Sequence, residues 1–119
     1  MAISKLRLRK ISKELYELKE PLRFEIDGLD WYIPSGFVTD LASIPYPINK
    51  ILKRDNKRYV RSSILHDYLY EIKFNRFESD ELFFKAMRIE GSPLIYSVIF
   101  YLAVRIFGFF RYNNIKGEK

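Results

Sequence analysis

Residues 58–91 read RYVRSSILHDYLYEIKFNRFESDELFFKAMRIEG, and two helical periods in this stretch decide the architecture. Placed at 100° per residue, Val60, Ile64, Leu65, Tyr68, Leu69 and Ile72 fill one half of a helix running from about Arg58 to Lys73. The other half carries Ser62, Ser63, His66, Asp67, Tyr70 and Lys73, with Ser62, His66 and Tyr70 stacked at i, i+4 and i+8. A solvated face normally holds more Lys and Glu, so this stripe is expected to face something. Asn75 is placed to cap a second helix, with Glu78 as its capping-box partner, and Gly91 ends that helix after Glu90. Its apolar arc collects Leu82, Phe83, Phe84, Ala86, Met87 and Ile89, and Asp80 falls inside the arc between Phe83 and Phe84. Helices joined by so few residues pack antiparallel, which brings Asp80 towards His66.

A carboxylate facing a core is costly unless a charge or a hydrogen bond meets it. The chain has one histidine, so His66 and Asp80 form the candidate catalytic pair. A carboxylate on one imidazole nitrogen fixes the tautomer and raises basicity at the other, which can then take a proton from water. Asp67 is a candidate ligand for a hard divalent cation such as Ca²⁺, with Asp40 as a second carboxylate and loop carbonyls completing the shell. Plainer roles stay open beside these. His66 would simply satisfy Asp80 in a helix–helix contact, or Asp80 would serve the N-terminus of its own helix. In Thr39-Asp40-x-x-Ser43, Asp40 and Ser43 would cap a turn. Ser43 has no glycine elbow around it and is weak as a nucleophile. Arg105 interrupts an apolar helix and is expected to seek an internal acid, Asp40 or Asp80.

Outward from this centre, the first third leans to strands. Leu15–Leu18 and Leu22–Ile26 are short mixed segments, and Asp27-Gly28 turns a hairpin into Trp31-Tyr32-Ile33. Phe37-Val38 adds a short extended piece. Pro45 and Pro47 make the following stretch irregular, and it is expected to pass beneath the helices. Residues 50–61 hold six basic side chains against one acid. Lys53, Arg54, Lys57 and Arg58 there form either a solvated connector or an anion-binding surface for nucleic acid or an anionic membrane. Ser92-Pro93 starts a last helix that is apolar all round from Leu94 to Phe110 except at Ser97, Arg105 and Gly108. That helix suits a core or a homo-oligomer interface, ahead of membrane contact. The fold expected is α+β: a small antiparallel sheet or hairpin packed with three main helices, as one domain over 1–119, strand-rich in 1–38 and helical in 58–112.

Composition removes several classes. With no cysteine in 119 residues, disulfides, thiolate metal sites and a Cys nucleophile are excluded, and one histidine excludes multi-histidine metal centres. Apolar residues at 48% rule out a disordered chain, and the net charge is +6. No signal peptide is read at the N-terminus, which gives the cytoplasm as the default compartment.

Four ordered blocks carry a resemblance: Gly36-Phe37-x-Thr39-Asp40-x-Ala42-Ser43-Ile44-Pro45, Leu65-His66-Asp67-x-Leu69-Tyr70, Asp80-x-x-Phe83-x-x-x-Met87, and Ala103-Val104-Arg105-x-Phe107-Gly108. Together they resemble a domain-of-unknown-function family of tailed phages and prophages, from about Trp31 to Gly108. The resemblance implies a phage setting, in the infected cell or the virion, and makes Asp40, His66, Asp67, Asp80 and Arg105 the motif polar residues. His66-Asp67-x-x-Tyr70 followed by Asp80 is also similar to the phospholipase A2 superfamily. That likeness implies that His66 activates water, Asp67 holds calcium and Asp80 orients His66, although the glycine-rich calcium loop has no counterpart beyond Gly36. Three functions follow as expectations. One is a small hydrolase of esters or phosphoesters, cation-assisted in one form. Another is a non-enzymatic virion or assembly component. The third is a host-directed anti-defence binder that acts through the basic stretch on a host protein or nucleic acid.

Overall fold

Asp27 and Gly28 both take positive φ, 55° and 80°, the geometry of the two-residue hairpin turn that their sequence predicts. In the computed structural model, which describes residues 3–13, 15–40 and 58–114, this turn joins β3 (Leu22–Ile26) to β4 (Leu29–Ile33). The antiparallel register sets Leu22 against Ile33, Phe24 against Trp31 and Ile26 against Leu29. Alternation does the sorting: Leu22, Phe24 and Ile26 are buried while Glu25 between them faces out. A second antiparallel sheet has the order β1 (Leu8–Lys10), β2 (Tyr16–Leu18), β5 (Val38–Thr39). β1 is an addition to the expected strands; its Leu8, flanked by Arg7 and Arg9, is partly buried against the core while Arg9 and Lys10 are exposed.

Three helices follow: α1 (Val60–Glu71), α2 (Arg76–Glu90) and α3 (Leu94–Asn114). The α+β architecture is the one expected. Asn75 caps α2 by accepting the Glu78 amide at 2.9 Å, and Gly91 ends it at φ 104°. The first helix is shorter than its apolar period suggests, stopping at Ile72 before Lys73 turns to positive φ. The stripe of Ser62, His66 and Tyr70, expected to face something, is enclosed, and Ser63 and Asp67 beside it are buried too. Ile72, assigned to the apolar half, is exposed. Tertiary packing around α1 has overridden its own weak amphipathicity.

Two apolar clusters result. Leu18, Leu22, Phe24, Ile26 and Ile33 from the sheets meet Val60, Ile64, Leu65 and Leu69 of α1 and Ala86 of α2. Tyr59, Phe83, Met87 and Phe100 form a second cluster tying α2 to α3. Polar groups line the space between the helices. Among the described residues, no helix is long and apolar enough to cross a membrane.

Candidate functional site

Asp80 lies in the second turn of α2 on the side turned towards α1 and α3, and it is fully buried. Both its oxygens are engaged. His66 Nε2 lies 2.6 Å from Oδ1, the Tyr70 hydroxyl donates to the same oxygen at 2.7 Å, and Arg105 donates to Oδ2 at 2.8 Å. The donors therefore come from one turn of α1 (His66 and Tyr70 are four residues apart) and from α3. His66 stacks on Phe83 at a centroid distance of 4.6 Å, which holds the ring plane. Of the two acids proposed for Arg105, the structure selects Asp80.

Burial pushes the Asp80 carboxyl up, but the hydrogen bonds from His66, Tyr70 and Arg105 outweigh it and hold it below the usual carboxylate value. The Tyr70 phenol is pushed well above its ordinary value, first by burial and then by its bond to Asp80. A depressed carboxylate stabilises the fold above its unfolded value, and that contribution is lost as pH falls through the folded value. Wild-type stability is expected to drop through the acid range more steeply than that of Asp80→Asn. Denaturant unfolding at a series of pH values measures this, and parallel acid limbs would show that Asp80 is not the group responsible.

Asp67 faces away from this cluster. Its Oδ2 accepts the Thr39 hydroxyl at 2.7 Å, tying α1 to β5, with both residues buried. Asp40, next along the chain, is half-buried. Among the described residues, no group of three or more His, Asp or Glu side chains is placed to hold a metal ion. Ca²⁺ takes about 6–8 oxygens, and beyond the carboxylates of Asp67, which accepts from Thr39, and Asp40, the loop after Asp40 expected to supply carbonyls lies outside the described residues. Ser43, Lys53, Arg54 and Lys57 lie outside the described residues. Arg58 is exposed in the turn before α1, where its carbonyl accepts the Ser92 hydroxyl. A groove of about 270 Å³ lined by Glu81, Phe84, Lys85 and Tyr101 opens elsewhere on the surface, and neither His66 nor Asp80 lines it.

Glu90 is a residue that sequence reasoning passed over. Its side chain is buried and accepts from the Arg61 amide at 2.9 Å, the Ser62 amide at 2.8 Å and the Ser62 hydroxyl at 2.7 Å. It thus caps the N-terminus of α1, where Tyr59 supplies no side-chain cap. An acid in the last turn of α2 opposes that helix's own dipole, and this was the available signal. Gly108 is the other. A Cβ there would lie 2.6 Å from the Tyr70 hydroxyl oxygen. Gly108→Ala, which in an ordinary helix gains about 1 kcal/mol, is expected instead to cost about 1–3 kcal/mol by displacing Tyr70 from Asp80. Combining it with Tyr70→Phe should recover part of the loss in a double-mutant cycle. A stabilised Gly108→Ala protein would show that the contact yields freely.

Residues 16–104 match the family described as a protein of unknown function, DUF1353. The chain belongs to this family. The matched region contains His66, Asp67, Tyr70 and Asp80, and Arg105 lies one residue beyond it. The DUF1353 chain is also 31% identical over 99 residues to the "Uncharacterized protein y4jT" of Sinorhizobium fredii (strain NBRC 101917 / NGR234). That alignment covers 81% of the chain but only 30% of the relative, so the chain spans less than a third of that protein's length. No solved structure matches it.

Proposed function

We propose that the DUF1353 chain is a small hydrolase acting on an ester or phosphoester, with His66 as general base and Asp80 as its orienting carboxylate. The observation that carries this is the 2.6 Å contact between His66 Nε2 and Asp80 Oδ1, made on a carboxylate that Tyr70 and Arg105 also hold in place. A neutral imidazole that donates from Nε2 keeps its lone pair on Nδ1, so Nδ1 is the basic atom. In the proposed step, Nδ1 takes a proton from water and the hydroxide adds to the acyl or phosphoryl centre. The same proton then passes to the departing oxygen. Asp80 stays ionised throughout and stabilises the imidazolium. The motif resemblance to phage and prophage proteins makes an infected cell the proposed setting.

Burial favours a second reading. His66 is 4% exposed and Asp80 0%, the enclosure expected of an architectural network within a virion or assembly component. Turnover on a panel of lipid and nucleotide esters, with and without Ca²⁺ and chelator, separates the two. The hydrolase reading expects activity in the wild type and a loss of about 10²–10⁴-fold in His66→Gln with the fold retained. No turnover on any ester in the panel would leave the architectural reading standing.

A further inference from the structure

The outer face of α3 is self-complementary, and we propose that the DUF1353 chain forms a twofold dimer through it, independently of any catalytic role for His66. Ile95, Val98, Leu102, Ile106 and Phe109 are between 37% and 64% exposed. At 100° per residue they share an arc of roughly 80°, and at 1.5 Å per residue they extend for about 21 Å. Their spacing is symmetric about Leu102. Val98 and Ile106 lie four residues to either side, and Ile95 and Phe109 lie seven. A twofold axis at Leu102 between antiparallel copies of α3 therefore sets Ile95 against Phe109, Val98 against Ile106, and Leu102 against itself. This is the isologous arrangement that most soluble homodimers use.

Size and charge favour a second copy over other occupants. With Leu94 at its edge, the stripe leaves roughly 500 Å² of apolar side chain in water, towards the upper end for a monomer's largest patch. A standard interface buries about 800 Å² per partner at roughly 60% apolar, which is close to that same area. Arg105 is the one charged residue between Leu94 and Phe109, and its guanidinium turns inward to Asp80. A helix made to lie in a lipid interface carries a polar face rich in Lys and Arg. The opposite face of α3 instead carries Phe100 and Ala103 into the protein interior.

Light scattering coupled to size exclusion should give twice the 14.3 kDa chain mass for the wild type. Leu102→Glu should halve it without changing the circular dichroism, because Leu102 is half exposed in the single chain. The chain has no cysteine, so single-cysteine variants report the register without background. A short bismaleimide should link Leu102→Cys to itself. It should link Ile95→Cys to Phe109→Cys when the two are mixed, and neither of those to itself. A monomeric wild type, a dimer that survives Leu102→Glu, or self-linking of Ile95→Cys would each overturn the proposal. A monomer that sediments with anionic phospholipid vesicles would overturn it in favour of a lipid surface.

Discussion

Asp80→Ala is expected to lower the unfolding free energy by about 3 kcal/mol, within the range for removing one partner of a buried charged network. Three donors lose their acceptor together. The Arg105 side chain is 30% exposed and can regain water, so its share of the cost is small. The imidazole and the Tyr70 hydroxyl cannot, and each buried donor without an acceptor costs about 1–3 kcal/mol. Asp80→Asn keeps an acceptor oxygen and should lose roughly half as much. His66→Ala should also lose less, about 1–2 kcal/mol, because Asp80 retains Tyr70 and Arg105. Urea unfolding with unchanged slope measures all three. An Asp80→Ala loss under about 1 kcal/mol would mean that desolvating the network cancels its attraction.

Glu90→Ala is expected to cost about 2–3 kcal/mol, more than an ordinary cap, whose loss costs about 0.5–2 kcal/mol. The additional loss comes from the site. The Glu90 side chain is 2% exposed, and its removal leaves the Arg61 and Ser62 amides and the Ser62 hydroxyl without their acceptor in a partly enclosed site. Glu90→Gln should be intermediate, since the amide oxygen can still accept from Ser62 but the amide nitrogen would face the Arg61 N–H. Burial raises the Glu90 pKa, against the hydrogen bonds from Ser62 and Arg61 that favour its charge. A group with a raised folded value gives stability that is present below its unfolded pKa and lost as pH rises through the folded one. The Glu90 contribution therefore runs opposite to that of Asp80. Thermal melts of the Glu90→Ala protein that match the wild type would show that α1 needs no cap.

The sequence discloses the centre of the molecule better than its edges. Asp80 sits in an apolar arc where only a partner could keep it, and a chain with one histidine left few candidates. Arg105 follows from the same reasoning, because an uncompensated guanidinium in α3 needed an acid. The Asp27-Gly28 turn and the Asn75 cap are equally local, each set by the backbone needs of adjacent residues. What stayed hidden depends on distant parts of the chain. Periodicity locates a face on its own helix but cannot say how many neighbours surround that helix, so the burial of Ser63 and Asp67, beside the Ser62–His66–Tyr70 stripe, is not legible in it. Thr39 stands beside the Asp40 and Ser43 turn pattern, and nothing in its neighbourhood announces a bond to Asp67 28 positions away. β1 is three residues long, too short for the Leu6-Arg7-Leu8-Arg9 alternation to mark it as a strand, and it pairs along β2.

One carboxylate joined to all three helices has a consequence for uniqueness. The chain carries ten Phe and nine Tyr, and apolar burial is non-directional, whereas a buried carboxylate favours only the alignment of α1, α2 and α3 that brings its donors to it. A shift of any helix by one turn would strand Asp80 in a medium that penalises an unmatched ion. Competing alignments are thereby raised in energy even where the native one gains little. Asp80 thus works as a registration pin. A neutral, well-packed substitute could keep the helix content while broadening the near-ultraviolet signature of the aromatic interior.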